Sequence, residues 1–127
     1  MTKVSMSHEE YLEAIVMLGG TTEQPVRSVD VANKLGVSKA SVSKAISSLR
    51  EAGMLNQPYY GDITLTESGF EYGSALLKRE QMLERFLVEK IGLSEEEAEK
   101  EACHIEHCIS DEAFEKWLAF LKKVGIE

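Results

Sequence analysis

Cys103, Glu106 and His107 bring a thiol, a carboxylate and an imidazole within one helical turn of one another. They lie in the run Glu101-Ala102-Cys103-His104-Ile105-Glu106-His107-Cys108, inside an uninterrupted helical pattern. That pattern opens at Ser94, with Glu97 three residues on, as in a capping box. Positions three and four apart share a helix face, so the three donors project together. Such a set suits a divalent transition metal. His104 and Cys108 fall off that face. The two cysteines are five residues apart on one helix and point in different directions, which does not suggest a disulfide framework. A reducing cytoplasm is the expected compartment.

The elements before this helix suggest what a metal would control. An amphipathic helix is predicted over Ser7 to Leu18, with Ser7 as N-cap, Glu10 at the capping-box position and Gly19-Gly20 at its end. Residues 19–27 read as a loop, after which Ser28 caps a short helix, Val29 to Leu35. Counted from Ser28, Ala32, Gly36 and Val42 occupy the fifth, ninth and fifteenth positions of a helix-turn-helix. There a small residue admits the partner helix, glycine makes the turn, and a branched residue locks the second helix onto the first. Ser38 caps that second helix, whose Val42, Ile46 and Leu49 face inward. Ser38, Lys39, Ala40, Ser41, Ser43 and Lys44 gather on its exposed N-terminal part. Small side chains allow deep entry into a major groove, hydroxyls reach bases or phosphates, and lysines neutralise phosphates. The competing reading is a helical hairpin with a serine-rich solvated face; spacing and composition both favour recognition.

Two short strands, 54–57 and 62–66, are predicted around Pro58-Tyr59-Tyr60-Gly61, forming the wing of a winged helix. Tyr59 and Tyr60 either lie along the phosphate backbone or pack on the wing. A long helix follows to about Lys90, with Phe70, Ala75, Leu77, Met82, Leu83, Phe86 and Leu87 as its apolar face. The last helix begins at Asp111 and repeats Phe114, Trp117, Leu118 and Leu121 at threes and fours.

Composition agrees with a mainly α protein. The chain has 127 residues, 43% of them hydrophobic, with only two prolines and few aromatics. It contains no run of about 18 apolar residues to span a membrane, and Met1-Thr2-Lys3 lead into a charged amphipathic stretch rather than a signal peptide. The formal charge of −8 argues against a generic nucleic-acid binder, but it is unevenly spread. Residues 1–63 hold six Lys or Arg against seven Asp or Glu, a net of −1; residues 64–127 hold eight against fifteen, a net of −7. The acidity therefore lies with the candidate metal ligands. A near-neutral head can still carry a basic face.

A winged helix, a long linker helix and then Ala102-Cys103-x-x-Glu106-His107-x-x-Ser110-Asp111-Glu112 together resemble the diphtheria toxin repressor family of iron- and manganese-dependent regulators, which includes the manganese transport regulators. The resemblance covers nearly the whole chain. It implies a winged helix-turn-helix DNA-binding domain over 1–66 and an all-helical metal-binding and dimerisation domain over 67–127, the linker helix running about 67–90. Since the sequence stops at Glu127, it implies the two-domain form without an SH3-like third domain. Cys103, Glu106 and His107 match the family's metal-ligand motif, and Glu10 matches a ligand supplied by the first helix. Glu80, Glu84 and Glu99 match accessory-site positions, for which a solvated helical face is the competing reading; Glu13 reads as solvated. Ser38, Ala40, Ser41, Ser43 and Lys44 fall on DNA-facing positions.

Glu80 departs from the family's usual histidine, which makes the donor set more oxygen-rich. Cys103 follows the iron branch. Carboxylates favour manganese(II) and iron(II), whereas a thiolate pulls toward iron, cobalt or zinc. The implied function is a cytoplasmic, homodimeric repressor that binds palindromic operator DNA in response to iron(II) or manganese(II) and controls metal-uptake genes. An ion held by both Glu10 and the Cys103 helix would act as a clamp, overcoming repulsion among Glu10, Glu13, Glu80, Glu84, Glu99 and Glu106. Two other classes compete. A winged-helix regulator could respond to an organic ligand or to redox through Cys103. A metal hydrolase is disfavoured: the chain has no His-Glu-x-x-His, glycine-rich phosphate loop or nucleophile elbow.

Overall fold

The structure, a computed structural model, describes residues 4–127, so the start of the chain that bears on a signal peptide lies outside the described residues. The elements are α1 (Met6–Met17), β1 (Val26–Arg27), α2 (Ser28–Leu35), α3 (Lys39–Glu51), β2 (Leu55–Asn56), β3 (Asp62–Leu65), α4 (Glu67–Phe86), α5 (Glu95–Cys108) and α6 (Asp111–Lys123). A π-helical segment, Leu87–Ile91, extends α4 and stops at Gly92. Two compact units result, one ending at Leu77 and the other spanning Lys78–Glu127, with the division falling inside α4.

In the first unit, α1, α2 and α3 close around one apolar core with the small sheet. Leu12 and Ile15 from α1, Val31 from α2, Val42 and Leu49 from α3, and Leu55, Ile63 and Leu65 from the strands are all buried. Gly36 turns the chain between α2 and α3 at φ 66°, and Val42 is 1% exposed, as the helix-turn-helix register requires. The wing is real but shorter than its sequence pattern: Leu55 pairs with Leu65 and Asn56 with Thr64.

Several local expectations are corrected. The N-cap of α1 is Ser5, not Ser7: Ser5 is extended, and its Oγ accepts the His8 N–H at 3.2 Å. Ser28 is the first residue of α2 rather than its cap: the extended residue before the helix is Arg27, and the Ser28 N–H goes to the Gly61 carbonyl at 2.8 Å. The loop before α2 contains β1, which pairs with β3 through Val26 and Ile63. On α4 the buried ridge runs through Gly69, Gly73, Leu76, Leu83 and Leu87, while Ala75 is exposed and Leu77 only half-buried. Two of those five positions are glycines, so hydrophobicity alone does not reveal the ridge's phase. At Gly69 a Cβ would collide with the Met54 carbonyl oxygen, and the helix packs through that bare backbone on the residue just before the wing's first strand.

The second unit packs Leu83 and Leu87 against Ala98 and Ala102 of α5, with Met82, Leu121 and Ile126 as a neighbouring cluster. Phe86 joins both, its ring edge-on to Trp117 at 5.5 Å. Arg79 ties α4 to α6, pairing with Asp111 at 3.1 Å and lying 4.3 Å over the Phe114 ring. Among the described residues, no helix is long and apolar enough to cross a membrane.

Candidate metal centre and nucleic-acid interface

α5 starts where the sequence places it. Ser94 and Glu97 form the reciprocal capping box, and Glu95, Glu96 and Glu97 set negative charge at the helix's positive end. From there the helix presents adjacent faces. Ala98 and Ala102, four residues apart, are fully buried against the apolar cluster. The next face carries Cys103, Glu106 and His107. Glu106 is 3% exposed and His107 8%. Glu106 Oε1 lies 3.3 Å from His107 Nε2, and a ligand atom of Cys103 lies within 4.8 Å of one from His107. His104 and Cys108 are exposed, away from this cluster.

Shielding a carboxylate from water is costly unless positive charge or hydrogen bonds compensate it. A face that shields a carboxylate and an imidazole together, with a thiol one turn earlier, has the donor chemistry of a mixed O, N and S site for a divalent transition metal. These residues fit such an ion.

On α1, Glu9 and Glu13 are buried, at 3% and 5% exposure, while Glu10 between them is half-buried. Glu13 is thus no solvated surface residue, contrary to expectation, and Glu9 is a buried acid that sequence reasoning missed. The available signal was spacing: Glu9, Leu12, Glu13 and Val16 share one helix face, so the acids stand in an apolar row. Glu9 accepts a hydrogen bond from the Tyr72 phenol of α4 at 2.7 Å.

Glu80, Glu84 and Glu99 form an electrostatically linked group in the second unit. Burial pushes the Glu84 carboxyl above its usual value, and the nearby charges of Glu80, Glu99 and Glu95 raise it further. Glu84, Glu95 and Glu99 also line an open groove of roughly 590 Å³ together with Arg85 and Glu89.

In the first unit, α3 keeps Val42, Ala45, Ile46 and Leu49 inward, leaving Lys39, Ala40, Ser41, Ser43 and Lys44 exposed. Ser38 Oγ accepts the Ser41 N–H at 3.1 Å and lies 3.0 Å from Ser41 Oγ, so the two hydroxyls sit together at the helix tip. Tyr59 and Tyr60 are 75% and 104% exposed, which excludes the reading that packs them on the wing. A cleft of about 340 Å³ joins α3 to the wing, lined by Arg27, Lys39, Ser43, Gln57 and Tyr60 among others. Arg27, which lies in β1 rather than in a loop, adds a cation there.

A winged helix-turn-helix followed by a helical unit whose one face carries groups able to bind a metal is the arrangement of a metal-responsive DNA-binding protein. Residues 3–62 match the family described as "Iron dependent repressor, N-terminal DNA binding domain", and residues 66–125 match "Iron dependent repressor, metal binding and dimerisation domain". The chain belongs to the iron-dependent repressor family.

Among its relatives, an uncharacterized HTH-type transcriptional regulator of Methanocaldococcus jannaschii is 36% identical over 94% of this chain and 96% of its own length. The transcriptional regulator MntR of Salmonella typhimurium is 33% identical over 78% of this chain, and the iron-dependent repressor IdeR of Mycobacterium bovis is 32% identical over 88%. The matches span 62% of MntR and 48% of IdeR. A solved structure of a manganese-dependent transcriptional repressor in complex with manganese is similar at a TM-score of 0.78 and 31% identity, over 91% of this chain and 52% of that one. ScaR with bound Zn²⁺ is similar at a TM-score of 0.74 and 28% identity, over 92% of this chain and 53% of that one. The family thus includes proteins that hold manganese or zinc and repressors named for iron.

Proposed function

We propose that this protein is a metal-activated transcriptional repressor of the cytoplasm, a regulator rather than an enzyme, which binds operator DNA when iron(II) or manganese(II) is sufficient and so limits metal uptake. Residues 1–66 act as the DNA-binding domain and 67–127 as the metal-binding and dimerisation domain. The observation that carries the reading is the donor set on α5, half-buried Cys103 with buried Glu106 and His107, on the same chain as a winged helix with an exposed, hydroxyl- and lysine-bearing recognition helix.

Cys103, Glu106 and His107 hold the ion together with Glu10. Glu13, a buried carboxylate on the same helix as Glu10, is a further donor. Glu80, Glu84 and Glu99 serve an accessory position, where their mutual repulsion gives a cation its advantage. A bound divalent ion supplies concentrated positive charge and fixed donor directions. Glu10 on α1 and the α5 donors thereby favour one arrangement of the chain, and the shift equals the differential affinity for that arrangement. A two-fold dimer presents its two recognition helices to half-sites of a palindrome. Ser38, Ser41 and Ser43 address bases and phosphates, while Lys39, Lys44, Tyr59 and Tyr60 lie along the backbone.

Operator binding titrated separately with manganese(II), anaerobic iron(II) and zinc(II) tests the reading. Affinity should rise with manganese or iron, and Glu106→Gln should remove most of the rise. DNA binding indifferent to every metal would reject it and leave regulation through an organic ligand or the oxidation of Cys103.

A further inference from the structure

Glu9 is 3% exposed and directly precedes Glu10. It closes the first turn of α1, donating its own N–H to the Ser5 carbonyl at 2.9 Å. Its carboxylate accepts the Tyr72 phenol at 2.7 Å, and the same phenol oxygen accepts the Val4 N–H at 3.3 Å. One oxygen on α4 thus engages both the segment before α1 and the end of its first turn. The next residue of α4, Gly73, brings the helices close: a Cβ there would sit 3.1 Å from the Leu12 carbonyl oxygen and 2.9 Å from Val16 Cγ2.

The first turn of a helix frays readily because its N–H groups have no intrahelical acceptor. Here Met6 and Ser7 are exposed, so beyond the Ser5 cap the turn depends on its contacts through Glu9. A metal ligand borne just after such a turn is only as well placed as the turn itself, and donor atoms must be held to within about 0.5 Å for full affinity.

We propose that Tyr72 is a positioning residue for Glu10: acting through Glu9, it holds the first turn of α1 and so prepares the α1 share of the metal centre before an ion arrives. This rests on the reading of Glu10 as a ligand. A hydrogen bond to a buried carboxyl is costly to lose, because water cannot replace it there, and Glu9 acts through the backbone it shares with Glu10. Its role is to keep the backbone of Glu10 in register while the Gly73 contact fixes how closely α1 and α4 approach.

The test is the manganese(II) dissociation constant of the full chain, measured by calorimetric titration alongside metal-free melting temperatures. Glu10→Ala should weaken binding strongly. Tyr72→Phe should weaken it about tenfold, while Glu9→Gln, which keeps an acceptor for the phenol, should stay within roughly threefold of wild type. In the Glu10→Ala background, Tyr72→Phe should add no further loss, the non-additivity expected of residues acting in series. Should Tyr72→Phe fold poorly, Glu9→Ala breaks the same bond from the other side and should show the same non-additivity. A wild-type constant for Tyr72→Phe beside a weakened Glu10→Ala would overturn the positioning role and leave Glu10 a ligand. So would an equal loss in both backgrounds. A wild-type constant for Glu10→Ala would overturn the ligand reading, and the positioning role with it.

Discussion

Glu106 Oε1 sits 3.3 Å from Nε2 of His107, and neither side chain exposes any surface to solvent. A divalent cation stabilises a buried carboxylate far more than a neighbouring imidazole does. Metal should therefore stabilise the fold. At a hundredfold excess over its dissociation constant, ligand binding contributes about 2.7 kcal/mol, or roughly 10 °C in melting temperature for a chain of this size. Scanning calorimetry with manganese(II) and after chelation measures the difference, and Glu106→Gln should lose most of it. Identical melting with and without metal would separate this pair from any ion.

The Glu84 carboxyl is raised first by burial and then by the charges of Glu80, Glu99 and Glu95. Because the folded chain holds this proton more tightly than the unfolded one, stability falls as pH rises through the folded value and is greatest below the ordinary glutamate value, about 4.3. Metal-free Glu84→Gln should accordingly be more stable than wild type at pH 7, with the gap closing as the pH is lowered. Urea midpoints across that range supply the comparison, and a gap that widens toward acid would contradict the electrostatic assignment.

Gly69 meets the Met54 carbonyl so closely that no side chain fits between them. Gly69→Ala should cost about 3 kcal/mol or more, since the obstacle is backbone rather than a flexible side-chain tip. Thr66 offers an internal reference. Its Oγ1 accepts the Gly69 N–H at 3.0 Å and donates to the Gly53 carbonyl at 2.7 Å, and loss of such a cap costs about 1 kcal/mol. Equal losses for Gly69→Ala and Thr66→Ala in urea denaturation would mean that α4 does not need the bare backbone.

The recognition helix was legible because everything it needed was local. Ser38 caps it, and the inward spacing of Val42, Ile46 and Leu49 follows from 3.6 residues per turn. The same periodicity placed Cys103, Glu106 and His107 on one face, and the Ser94–Glu97 capping box opened their helix where expected. Local signals failed where two candidates stood side by side. Both Ser5 and Ser7 have the chemistry of a cap, and Ser5 takes the role because its backbone is the extended one. β1 could not be read from Val26 and Arg27, since its partners Ile63 and Asp62 lie more than thirty residues away.

What the sequence determined by itself is the set of neighbours along each helix: donors at spacings of three and four, caps at helix starts, and apolar stripes. Those relations come from helix geometry and hold wherever the helix is placed. Only the tertiary structure decided which of those faces lose their water. It buried Glu9 and Glu13 on α1 while leaving Met17 and Leu18 exposed, and it turned Gly69 and Gly73 into contact points. Burial belongs to the partner surface as much as to the residue. Glu9 is held by Tyr72, 63 positions away, and no spacing along a single helix announces that contact.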